Sequence, residues 1–158
     1  MCDILIALLA AAGLALDQWL KAYVTANIPL GQAQPLVPGL VELRTVHNYG
    51  AAWSSFSGQR WLLVAVTCCI VAAVAVLLAR RVVRHPLGVA ACTMIISGGI
   101  GNIVDRVRLG YVVDMIETQF MDFPVFNVAD CFITCGCIAL FASLAFCNKA
   151  IWKDEKKK

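Results

Sequence analysis

Residues 101–130 read GNIVDRVRLGYVVDMIETQFMDFPVFNVAD. Five of the chain's ten acidic residues lie here, Asp105, Asp114, Glu117, Asp122 and Asp130, together with Asn102, Arg106 and Asn127. On either side the chain is almost wholly apolar. Acids are costly to place in or beside lipid, so those kept between apolar runs point to function. The stretch reads as the polar connection between two membrane spans, and the rest of the chain as the frame that holds it.

Composition supports that frame. The chain has 158 residues, of which 61% are hydrophobic and 15% charged, with a mean hydropathy of +0.79. A soluble domain carries about 45–50% apolar and about 25% charged residues. The length predicts one domain. Apolar runs at about 4–24, 61–79, 87–104 and 128–147 approach the roughly 20 residues that cross the hydrocarbon as a helix. The predicted fold is an all-α membrane protein of four transmembrane helices with a small extracytoplasmic β platform at 25–60.

The placement of charge gives orientation. Arg80, Arg81 and Arg84 follow the second span, and Lys149, Lys153, Lys156, Lys157 and Lys158 follow the fourth, eight of thirteen basic residues. Basic segments flanking spans stay cytoplasmic. Both termini are then predicted inside, and most of the acidic stretch outside. Short basic tracts beside spans are topology signals, so nucleic acid is not an expected partner.

Seven of the eight cysteines, Cys68, Cys69, Cys92, Cys131, Cys135, Cys137 and Cys147, fall within predicted spans, where they read as small apolar side chains. Cys131 and Cys135 share a helix face, but no histidine joins them in a ligand pattern. No metal or other cofactor is expected. The first run has no basic n-region and continues past Asp17, so it reads as a retained span rather than a cleaved leader.

Asp17 and Lys21, in LDQWLKAYV, are four apart and face the same way. They read either as a helix-end ion pair, with Lys21 snorkelling beside Trp19 and Tyr23, or as support for an outer-surface site. Pro29, Gly31, Pro35, Pro38 and Gly39 exclude a helix over 28–40. VELRTV (41–46) alternates as a surface strand, HNYG (47–50) reads as a turn, and Ala51–Phe56 as a second extended or interfacial piece. Gly98, Gly99 and Gly101 suit close helix packing in lipid. Asn102, Asp105 and Arg106 share one helix face, readable as a surface ion pair plus an interhelical hydrogen bond. Gly110 breaks that helix, and YVVDMI returns toward the membrane. Apolar neighbours disfavour the charged form of Asp114 and raise its pKa. Asn127 and Asp130 fit an N-cap and its N3 partner.

Two close carboxylates do not readily both ionise and tend to share a proton. One can then take a proton from water while the other donates to a carbonyl or leaving amine, which suffices for peptide hydrolysis. Neither H-E-x-x-H nor G-x-S-x-G is present, and His47 and His85 fall on opposite sides of the predicted membrane. On these residues alone, a proton-coupled transporter and a non-catalytic scaffold packed through its glycines stay open beside a peptidase.

The segments LDQWLKAYV, HNYGAAWS, GNIVDRVRLGYVVDMI and FPVFNVAD, in this order between four spans, resemble the lipoprotein signal peptidases, or signal peptidase II. The resemblance implies an aspartic endopeptidase of the bacterial inner (plasma) membrane. It would remove signal peptides from prolipoproteins just before a cysteine carrying diacylglyceryl. It implies Asp114 and Asp130 as the catalytic pair. Asp17, Lys21, Asn48, Gly50, Asn102, Asp105, Arg106 and Asn127 would bind substrate or support the site. The expected partners are a diacylglyceryl prolipoprotein and membrane lipid, and the expected state is a monomer. The 25–60 platform, with Trp53, would clamp the peptide above the bilayer. Met115 stands where the family often has phenylalanine and Cys131 where it often has serine; neither departure removes a carboxylate.

Overall fold

The computed structural model describes residues 2–51, 53 and 55–147. The C-terminal lysine cluster at 149–158 lies outside the described residues, as do Ala52 and Ser54. The elements run α1 Cys2–Asn27, β1 Ala33–Val37, β2 Val41–Asn48, α2 Arg60–Ala79, α3 Pro86–Arg108, β3 Val112–Thr118 and α4 Val128–Ala142, with α4 continuing as a π-helical turn over Ser143–Cys147.

Four helices are long and apolar enough to cross a membrane: Ile4–Asn27, Arg60–Ala79, Pro86–Arg108 and Val128–Phe146. The protein is a multi-pass membrane protein. The first and third helices run past the sequence-predicted ends at 24 and 104: α3 carries on because Asp105 and Arg106 pack inward, whereas the added turn of α1, Thr25–Asn27, is exposed and closes on bonds to its own backbone. Residues such as Leu5, Leu8, Ile70, Ile138 and Phe141 stay exposed on the outside of the bundle, as expected where the solvent is lipid.

The central helix is α3, which packs on α1, α2 and α4. In lipid, burial of apolar surface does not drive helices together, so close packing of small residues must. A Cβ at Gly98 would collide with the Ala129 carbonyl of α4, and one at Gly99 would come within 2.5 Å of Val71 on α2. The helix starts where His85 Nδ1 accepts the Leu87 N–H, with Pro86 in the first turn. It ends just before Gly110, whose φ of +91° turns the chain back.

The platform is a three-stranded antiparallel sheet in the order β1-β2-β3. The Pro/Gly-rich 28–40 segment holds no helix, as expected, and β1 forms within it. Two local expectations are corrected. HNYG is not simply a turn: β2 runs through His47 and Asn48, pairing them with Val113 and Val112, and the chain bends only from Tyr49. Ala51–Phe56 is no extended piece, since its described residues form bends and turns, with positive φ at Trp53 (52°) and Phe56 (56°). The returning VVDMIET segment is a strand, and its register sets Asp114 opposite Val46. Val24, Ile28 and Met115 form the apolar contact between the end of α1 and the sheet. The sheet is thereby fixed to the bundle at the level of the acidic residues.

Candidate active site

Asp114 sits mid-way along β3 and is 2% exposed. Its Oδ1 accepts from Asn127 Nδ2 at 2.7 Å and its Oδ2 from Asn48 Nδ2 at 2.9 Å. Asp130 lies in the first turn of α4. Its Oδ1 accepts from Asn102 Nδ2 at 2.8 Å, and its Oδ2 accepts from the Asn127 backbone N–H at 3.1 Å. The Asn127 Oδ1 in turn accepts the Asp130 N–H at 2.9 Å, completing a reciprocal capping box. Asn127 thus holds both carboxylates, one through its side-chain amide and one through its backbone.

The two aspartates line one cavity of about 820 Å³, with Asn48, Asn102 and Arg106 on its polar side. Leu63, Val66 and Thr67 of α2 and Ile133, Thr134 and Cys135 of α4 form apolar walls. The size lies within the range of sites that take sizeable ligands. At the mouth, Trp53 meets the edge of Phe123 with ring centres 6.0 Å apart, and Phe123 meets Phe126 at 5.7 Å.

A cluster of buried charges lies beneath. Lys21 Nζ is 2.9 Å from Asp17 Oδ2 and 2.9 Å from Asp105 Oδ2, and it donates to Asn102 Oδ1 at 3.1 Å. Lys21 is only 3% exposed, so it turns inward and does not snorkel. Gln18 donates to Asp105 Oδ1 at 2.9 Å. Arg106 makes no surface pair with Asp105; it donates to the Gly50 carbonyl at 2.9 Å. The Gly50 N–H donates to Asn48 Oδ1, which fixes the Asn48 amide with its nitrogen toward Asp114. All ten residues singled out from the sequence therefore fall in one connected hydrogen-bonded network. It joins α1, β2, α3, β3 and α4.

Burial pushes the Asp114 carboxyl up to about 6, and the neighbouring Asp130 pushes the same way. The amide donors Asn48 and Asn127 and the Lys21 ammonium oppose the rise. His47, which stacks on Tyr111 at 3.8 Å, is pulled below its ordinary value by burial. Among the described residues, no three histidine, cysteine or acidic side chains gather as a metal site. The arrangement brings two buried carboxylates, each held by amide donors, to one cavity with apolar side walls and aromatic rings beside it.

Some contributors escaped the sequence reading. Gln18 was visible only as the residue after Asp17. The α2 wall residues sit in a span that looked featureless. Phe123 stood in the sequence only as the first residue of FPVFNVAD, three positions before Phe126, with no role assigned to it.

Residues 9–146 match a family model described as signal peptidase (SPase) II. The lipoprotein signal peptidase of Lactococcus lactis subsp. cremoris (strain MG1363) is 42% identical over 144 residues, which cover 91% of this chain and 95% of that protein. That of Streptococcus agalactiae serotype Ia is 38% identical over 155 residues, covering 98% and 96%. A solved bacterial membrane enzyme, determined by the in meso method at 2.3 Å resolution, superposes with a TM-score of 0.84 at 28% identity, covering 97% of this chain and 92% of that one. A second, at 1.9 Å resolution, gives 0.81 at 29% identity, covering 88% and 91%.

Proposed function

The chain belongs to the signal peptidase II family, and from that premise we propose that it is an aspartic endopeptidase that removes signal peptides from diacylglyceryl-modified prolipoproteins. Cleavage falls just before the lipidated cysteine. Asp114 and Asp130 carry the chemistry. The observation that supports this most is the double role of Asn127, which ties both carboxylates to one cavity wall.

Asp114, held near 6 by burial and by Asp130, carries the shared proton, and Asp130 is the ionised partner. Asp130 takes a proton from water as the water oxygen attacks the scissile carbonyl carbon. Asp114 donates its proton to the carbonyl oxygen. Collapse of the tetrahedral intermediate then moves a proton to the leaving amine and restores the pair. The Arg106 guanidinium, fixed by the Gly50 carbonyl, lines the same cavity and orients the peptide. The lipid chains lie against the apolar walls of α2 and α4, and the sheet with Trp53 holds the peptide from above.

By the positive-inside rule the termini are cytoplasmic and the site lies near the extracytoplasmic face. The chain acts as a single membrane-embedded domain, and as a monomer whose ten site residues bond to one another without needing a second copy. The test is cleavage of a purified diacylglyceryl prolipoprotein by the wild type, Asp114→Asn and Asp130→Asn. Each variant should remain folded and lose about 10³-fold or more in rate. Processing by either variant at the wild-type rate would refute the assignment.

A further inference from the structure

The ion cluster beneath the two aspartates has a pattern that charge balance alone does not require. Asp17 Oδ1 accepts the backbone N–H of Ala129 at 3.0 Å, the residue just before Asp130. Asp105 Oδ2 accepts the backbone N–H of Val113 at 3.2 Å, the residue just before Asp114. Each buried carboxylate therefore anchors the main chain immediately ahead of one of the pair. Lys21 joins the two anchors, at 2.9 Å to each.

The third contact of the ammonium is the Asn102 carbonyl oxygen at 3.1 Å. An ammonium has three donors and no acceptor, and here three acceptors meet it. It can face only the oxygen end of the Asn102 amide. The nitrogen end is thereby directed at Asp130 Oδ1, 2.8 Å away.

We propose that Lys21 is a positioning residue for the reaction: its ammonium clamps Asp17 to Asp105 and orients Asn102, and so sets the spacing of Asp114 and Asp130. The assignment rests on the peptidase reading above. A buried ion pair is weak evidence for stability by itself, since desolvation offsets much of the attraction. A lysine 3% exposed at the end of a membrane span is better accounted for by the geometry it enforces. Lys21 stands on α1 with Asp17 and faces Asp105 on α3, Asp114 on β3 and Asp130 on α4; Arg106 on α3 faces the last three from its own side. Lys21 is one of two cations among four carboxylates.

The experiment measures kcat, KM, the pH–rate profile and the melting temperature in detergent, with diacylglyceryl prolipoprotein as substrate. Lys21→Met is compared with Lys21→Met/Asp17→Asn, which removes one charge of each sign. In Lys21→Met, kcat should fall about 10²-fold, the loss typical of misplacing reacting groups by about 1 Å. KM should stay within about threefold, and the alkaline limb should move to higher pH as Asp114 loses a cation. The double variant should recover melting temperature without recovering kcat. An unchanged kcat and profile in Lys21→Met overturns the proposal. So does recovery of kcat together with melting temperature in the double variant, which would make the role one of stability alone. Should Lys21→Met fail to fold, Lys21→Gln is read by the same kcat and pH criteria. Asp114→Asn and Asp130→Asn run alongside. If they stay active the peptidase reading itself fails, whereas inactive Asn variants beside a normal Lys21→Met refute only the role of Lys21.

Discussion

Gly101 offers the sharpest test of how tightly this site is assembled. A Cβ built there would lie 2.6 Å from Asp17 Oδ2, 3.3 Å from Asp17 Cγ and 3.5 Å from the Ala129 Cβ. Ordinary contact begins near 3.4 Å, so Gly101→Ala requires a shift of about 0.8 Å, the difference between 3.4 and 2.6. Asp17 is fully buried and held by Lys21 at 2.9 Å and the Ala129 N–H at 3.0 Å. A displacement of that size takes one of these contacts beyond hydrogen-bonding range. Losing a charge-assisted bond costs about 1.5–3 kcal/mol, and overpacking adds about 1–3 kcal/mol. The gain in helix propensity from glycine to alanine returns about 1 kcal/mol. The net expectation is a loss of about 1.5–5 kcal/mol. Activity should also fall at least tenfold, because Asp17 anchors the turn that carries Asp130. The assay is thermal unfolding of the detergent-solubilised protein, with prolipoprotein cleavage measured on the same preparation. Gly31→Ala is the control: it also replaces a glycine, at φ +77°, but nothing lies within 4 Å. It should cost about 1–2 kcal/mol of backbone strain and leave the rate unchanged. A Gly101→Ala protein with wild-type melting temperature and wild-type kcat would refute the close approach of Asp17 to α3.

Three further outcomes are expected. The Asp114 carboxyl rises from 3.8 to about 6 on folding, so the folded state binds its proton more tightly than the unfolded one. Its stabilising contribution is complete below about pH 3.8 and is lost as pH rises through about 6. That is on the order of 3 kcal/mol, and Asp114→Asn should flatten this part of the stability–pH curve relative to wild type; parallel curves would count against a buried, protonated Asp114. Asn127→Ala removes an N-cap worth about 1 kcal/mol and the bond to Asp114, so both melting temperature and kcat should drop. Asn127→Ser restores a cap but not the amide donor, and a Ser variant with full kcat would contradict the bridging role. Finally, Cys131 and Cys135 line the cavity whereas Cys92 is fully buried. N-ethylmaleimide should label the first two and slow cleavage, and Cys131→Ser/Cys135→Ser should lose most of that sensitivity.

The four spans and the level of the site were legible in the sequence because the bilayer imposes strong rules: long apolar runs become helices, and acids among them are rare enough to notice. The strands were less legible for a physical reason. VVDM is buried without interruption, so its side chains show no period-two alternation, and a short apolar run of that kind reads as strand or helix alike. Only pairing with β2 decides it. That same pairing carries β2 through His47 and Asn48, residues that read locally as a turn. The direction of Lys21 was not written in α1 either. Spacing places it beside Asp17, but whether the pair turns to water or inward depends on the room that Gly101 leaves on a different helix, 80 or more positions away. Asn127 shows why the competing readings of a residue need not exclude one another. As an N-cap it uses only its amide oxygen, which accepts the Asp130 N–H. Its two amide hydrogens remain, and they point to Asp114 and Asn102. The residue that starts α4 is thereby the one that joins the two aspartates, so capping the helix and assembling the site are one act of folding.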